Sequence, residues 1–150
     1  MTKPDTDTIG FLVADISRLI RAEMDRINAA AGIGVTPGEA RVLLYAMRSG
    51  PVRQNRLAEL IGIEAMTVSG YLDALEAKGL VAREPDPADR RAKLVQLRPE
   101  AGPVLEAIEA MAAELRGRAS AGFGRSEWAA LKAALIRVRA NLSDCGGSDA

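Results

Sequence analysis

Side chains able to do chemistry are sparse in this chain. Histidine, the commonest general base and metal ligand, is absent. The one cysteine, Cys145, lies in NLSDCGGSDA with no basic neighbour to lower its pKa, so it reads as an inert thiol. The sequence has no glycine-rich phosphate loop and no carboxylate cluster. Neither a metal nor another cofactor is expected, and the chain is not expected to be an enzyme. The remaining chemistry is cationic. In EPDPADRRAKLV, residues 84–95, two prolines and three acids lead into Arg90, Arg91 and Lys93. Guanidinium groups at a loop tip suit phosphate contacts or a groove of focused negative potential. An ordinary solvated turn would use the same residues.

Periodicity indicates what must position them. Ile9, Leu12, Val13, Ile16, Leu19, Ile20, Met24 and Ile27 recur at three- and four-residue spacing, which predicts a long amphipathic helix over 9–30. AGIGV breaks it. Thr36-Pro37-Gly38-Glu39 has the form of a capping box, and Val42, Leu43 and Ala46 carry a helix on to Gly50-Pro51. RQNRLAELIGI predicts a short helix opened by Arg53, Gln54, Asn55 and Arg56. Beyond Gly62, EAMTVSGYLDALEAKG predicts another helix, with Val68, Leu72 and Leu75 inward and Gly79 as a left-handed cap. Two short helices around a glycine turn fit a helix-turn-helix.

LVARE and AKLVQL predict two short strands around the arginine stretch. Such a hairpin is marginal alone and must pack on the preceding helices. From Pro99 the helical period returns through Val104, Leu105, Ile108, Met111, Ala112 and Leu115. After Gly122-Phe123-Gly124, Ser126 is placed to cap a last helix striped with Trp128, Leu131, Leu135, Val138 and Leu142. The central unit is too small to cover both end regions. A second copy of the chain, related by a twofold axis, would cover them.

The totals limit the partners. The 150 residues suit one domain or a small domain with helical extensions. Net charge is zero, so a nucleic-acid partner must be argued from local placement rather than bulk charge. Two Phe, two Tyr and one Trp leave an aliphatic core. A lone cysteine fits a reducing compartment, the start MTKPDTDTIG has no signal pattern, and no apolar run approaches the roughly 18 residues of a membrane span. The expectation is a cytoplasmic protein with no membrane partner.

Gly79-Leu80-Val81 with Arg83, then Asp89-Arg90-Arg91, then Val95 and Leu97, in this order of elements, resembles the MarR family of winged helix-turn-helix regulators. The likeness covers roughly residues 9–142. It implies a mainly α fold with a small two- or three-stranded antiparallel wing. The winged helix-turn-helix unit is then 36–98, the helical dimerisation region 9–31 and 99–142, and the flexible tail 143–150. It also implies a homodimeric transcription factor on double-stranded, near-palindromic DNA, often a repressor, relieved by a small aromatic or phenolic effector.

By the same resemblance, the helix over 64–78 enters the major groove. Helical spacing puts Met66, Ser69, Gly70 and Asp73 on its outward face with Thr67 beside them. Arg91 is implied to enter the minor groove, Asp89 to orient its guanidinium, and Arg90 and Lys93 to contact phosphates. Gln54 and Asn55 are open to two readings, a phosphate clamp or a polar helix start. Arg21, Met24, Tyr45 and Met47 are candidates for an effector pocket, although such residues also suit core and solvated face.

Three departures stand out. The outward helix has no Arg or Lys before Lys78, where members often carry a base at the positions of Gly70 and Ala74. Arg98 replaces a capping Thr, and the first helix has no cysteine for oxidant sensing. The Arg-free helix leaves an alternative: a winged-helix dimer that scaffolds protein partners and binds DNA weakly or not at all.

Overall fold

A computed structural model describes residues 5–145. Helix α1 spans Ile9–Ala31; the Thr8 hydroxyl accepts from Phe11 N–H, and Gly32 ends the helix. Helix α2 (Pro37–Ser49) has the complete capping box, with Glu39 N–H donating to Thr36 Oγ1 at 3.3 Å and Thr36 N–H to Glu39 Oε2 at 3.1 Å. Strand β1 is Val52–Arg53, followed by α3 (Gln54–Ile61) and α4 (Ala65–Ala77). At the end of α4, Leu80 N–H reaches Leu75 C=O and Gly79 N–H reaches Glu76 C=O, both at 2.9 Å. That double closure needs a left-handed residue, and Gly79 has φ 72°. Strands β2 (Val81–Asp86) and β3 (Asp89–Leu97), a 3-10 turn at Pro99–Ala101, α5 (Gly102–Ala119) and α6 (Arg125–Cys145) complete the order.

The sheet is antiparallel with strand order β1-β3-β2, so the wing is three-stranded. Arg53 was expected to open α3 but belongs to β1, where it pairs with Leu94. A two-residue strand is too short to show a period, and its partner is distant in sequence. The loop expected between LVARE and AKLVQL, 85–91, is also mostly strand, with only Pro87 and Ala88 forming the turn. Ser126 is not the cap of α6. The helix begins one residue earlier, and Gly124 N–H donates to Glu127 Oε2 at 3.3 Å. α6 also runs three residues into the expected tail, because no helix breaker occurs before Gly146. Residues 146–150 and the side chain of Cys145 lie outside the described residues, so the reading of that thiol does too.

The chain forms two compact units, Met1–Leu115 and Arg116–Ala150. The first holds an aliphatic core in which Leu43, Leu57, Val68, Leu72, Leu75, Val81, Val95 and Ile108 are fully buried. Helices α2, α3 and α4 pack on one another, and α2 and α3 also meet β3, so α4 is fixed by its inward face. Gly38 allows the closest of these approaches. A β-carbon there would lie 2.5 Å from Tyr71 Oη, where Tyr71 of α4 lies over the first turn of α2. Lys78 Nζ joins the same two helices by donating to Glu39 Oε2 at 2.5 Å. In the second unit, Phe123 and Trp128 meet edge to face at 5.3 Å.

The end helices keep apolar side chains in the open. Along α1, Ile9, Phe11, Leu12, Val13, Ile16, Leu19 and Ile20 are exposed; along α6, Leu131, Leu135, Ile136, Val138 and Leu142 are. Among the described residues no helix is long and apolar enough to cross a membrane.

Candidate nucleic-acid interface

The wing places its arginines through a fault in strand pairing. Pro85 faces Lys93, but the next partners are Asp86 and Asp89, so Arg90, Arg91 and Ala92 have no counterpart on β2. The turn explains the fault. Two-residue hairpins match strand twist through turns with positive φ, and the only positive-φ residues among those described are glycines. Pro87-Ala88 therefore cannot form such a turn, and β3 takes up the mismatch as a bulge. Arg90 and Arg91 are exposed on it, with Lys93 exposed just beyond.

Asp86 anchors the hairpin. Its Oδ1 accepts Ala88 N–H at 2.9 Å, and its Oδ2 accepts Arg53 Nε at 2.7 Å. Arg53 lies on β1 and Asp86 at the end of β2, so the pair ties the two outer strands of the sheet together. Asp86 is only 7% exposed. The Ala88 amide first, and Arg53 second, hold its carboxyl below the usual range. A depressed carboxylate contributes stability above its unfolded pKa and loses it as pH falls through the folded value. Urea unfolding should therefore show no Asp86-dependent change from neutrality down to about pH 5, then a decline below about pH 4. Asp86→Asn should remove that acid-dependent component; an unchanged pH profile in the variant would contradict the anchor.

Asp89 was expected to orient the Arg91 guanidinium. Instead its Oδ1 accepts the Arg91 main-chain N–H at 3.1 Å. A short side chain two residues away reaches its own backbone more easily than the end of an arginine. Asp89 thus fixes the backbone of the bulge. The anchoring role of Asp86 escaped the sequence reading, although Asp before Pro-Ala is a local turn signal; its distant partner Arg53 gave none.

Helix α4 presents Met66, Thr67, Gly70 and Asp73 to solvent, with Ser69 half-buried beside them. Two charged contacts tie it to β2. Arg83 of β2 donates to Asp73 and, at 2.7 Å, to Glu76 Oε2. Glu76 is the main cause of the raised pKa of Arg83. The acids of α4 therefore serve its attachment to the wing. Asn55 is exposed at the start of α3, its Oδ1 accepting Arg56 N–H at 2.9 Å, and Gln54 is half-buried.

The effector candidates sit apart from one another in their environments. Met24 and Tyr45 pack against the core, while Met47 is exposed. Arg21 borders an open hollow of about 370 Å³ with Ser17, Arg18 and Asp25, and Met24, Tyr45 and Met47 do not line it.

A model of the MarR family matches residues 33–92, the helix-turn-helix and most of the wing. Transcriptional regulator PA3341, whose crystal structure is known, is 38% identical to the chain over 91% of it and 99% of that protein, with a TM-score of 0.75. The chain belongs to the MarR family. Two more distant neighbours share its fold. Apo MarR from E. coli is 20% identical over 90% of this chain and 98% of its own, with a TM-score of 0.74. BpsR of Bordetella bronchiseptica, whose DNA binding is regulated by 6-hydroxynicotinic acid, is 22% identical over 93% and 98%, with a TM-score of 0.71. In this MarR-family transcriptional regulator, α3 and α4 form the helix-turn-helix and β2–β3 the wing. The outward face of α4 carries no basic residue before Lys78.

Proposed function

We propose that this MarR-family regulator is a cytoplasmic homodimeric repressor that binds a near-palindromic duplex and is released by a small-molecule effector. The observation that carries this reading is the exposed β3 bulge, which holds Arg90 and Arg91 out to solvent on the wing that follows the helix-turn-helix. Arg91 enters the minor groove and Asp89 holds its backbone. Arg90 and Lys93 contact phosphates, as do Gln54 and Asn55 at the start of α3. Met66, Thr67, Ser69 and Gly70 face the major groove. A second copy covers the apolar faces of α1 and α6, which sets half-sites about 34 Å apart.

The effector is a small aromatic or phenolic molecule; of Arg21, Met24, Tyr45 and Met47, Arg21 borders the open hollow on α1 and is its contact there, while the other three do not share that hollow. The regulation of BpsR by 6-hydroxynicotinic acid supports that chemical class. Such a ligand acts only by favouring the free dimer's conformation over the DNA-bound one.

Selection of duplexes from a random pool tests the reading. The expected winners have two half-sites, and affinity falls steeply with salt, the log–log slope changing by about −0.9 per neutralised phosphate. A flat salt response would leave the protein-scaffold alternative in its place.

A further inference from the structure

Gly70 has no reason inside the chain to be glycine. It lies within α4, its φ is not positive, and a β-carbon there would meet no atom within 4 Å. Gly38 is the contrast, since a β-carbon there would collide with Tyr71. Glycine inside a helix is destabilising relative to alanine, so the fold would favour a larger residue at 70. A glycine that the fold does not require, on an outward helix face, fits close approach by an outside partner.

The neighbours of Gly70 define what that partner presents. Met66 is 88% exposed, more than any other large apolar side chain among the described residues. Thr67 is exposed beside it. Guanine is best read by a free arginine making two bonds. The cations attached to α4, Lys78 at its end and Arg83 on β2, are held by Glu39 and by Asp73 with Glu76. Around Gly70 the face therefore offers a thioether, methyl groups and the hydroxyls of Thr67 and Ser69, with the carboxylate of Asp73 already paired to Arg83. In the major groove the thioether, methyl groups and hydroxyls match the 5-methyl group of thymine, which sits beside an acceptor oxygen.

Resting on the DNA-binding reading above, we propose that Met66, Thr67 and Gly70 form an apolar step that receives thymine methyl groups. The centre of each half-site is then specified by thymines, and Gly70 gives the bases room to approach.

The test uses the full chain and duplexes recovered from a random pool. Each thymine is replaced in turn by deoxyuridine, which removes only the methyl group. At the contacted positions affinity should fall about fourfold per methyl. Met66→Ala should abolish that sensitivity at one position or more while still binding the duplex. Gly70→Ala should raise the melting temperature yet weaken binding by about tenfold through steric conflict. Tolerance of deoxyuridine throughout, undiminished sensitivity in Met66→Ala, or wild-type affinity in Gly70→Ala would each overturn the proposal while leaving DNA binding intact. Recovery of no duplex would overturn the DNA-binding reading and this proposal with it.

Discussion

Replacing Ile16 and Leu19 together by aspartate should split the protein into monomers and lower its affinity for a two-half-site duplex by about 10²–10⁴-fold. Both side chains are on α1, 53% and 56% exposed, and neither belongs to the core of the first unit. The substitutions should therefore leave the winged unit folded. Burying each side chain at a dimer interface contributes about 1.5–3 kcal/mol, and an unpaired carboxylate there reverses the sign. Once the copies separate, the second half-site no longer benefits from the effective concentration supplied by the first. Sedimentation at micromolar protein should report a single-chain mass, and titration should show half-site affinity alone. A variant that sediments as a dimer, or that binds the full duplex as wild type does, would place the interface elsewhere.

Arg91→Ala should weaken duplex binding by about 1–3 kcal/mol and flatten the salt slope by about one unit. The reasoning starts from the bulge. Three residues without partners on β2 project Arg90 and Arg91, and Asp89 fixes the backbone between them. A guanidinium in a narrow minor groove meets focused negative potential, and the loss on truncation should be greatest on duplexes with A-tracts at that position. Arg90→Ala, at a phosphate, should weaken all duplexes more evenly. Melting temperature should hardly change in either variant, because both side chains are exposed. Equal affinity of Arg91→Ala and wild type in a mobility-shift titration would remove the wing from the interface.

These two predictions draw on different depths of the sequence. The faces of α1 and α4 were legible in advance because helical spacing reveals which residues lie together. The capping box at Thr36–Glu39 and the left-handed Gly79 were legible because each signal lies within one turn of helix. The local motif from Gly79 to Leu97 pointed to the family, and the family model and the 38% identical structure bear that out.

What stayed hidden depends on residues far apart in the chain. Val52 and Arg53 form a strand only because Val95 and Leu94 lie alongside them. Arg53 and Asp86 are 33 positions apart, so no window on the sequence pairs them. The identity of Gly38 is explained by a ring 33 residues away on α4, whereas Gly70, just as conspicuous in the sequence, meets nothing. By itself the sequence determined which segments become helices, which faces are apolar and where arginines cluster, because these follow from local hydrogen bonding and side-chain periodicity. Only the tertiary structure decided the strand register, the bulge that projects Arg90 and Arg91, and the Arg53–Asp86 tie across the sheet. Register and long-range ion pairs are fixed by packing the whole unit, when distant strands must satisfy one another's backbone groups and bury their apolar side at the same time.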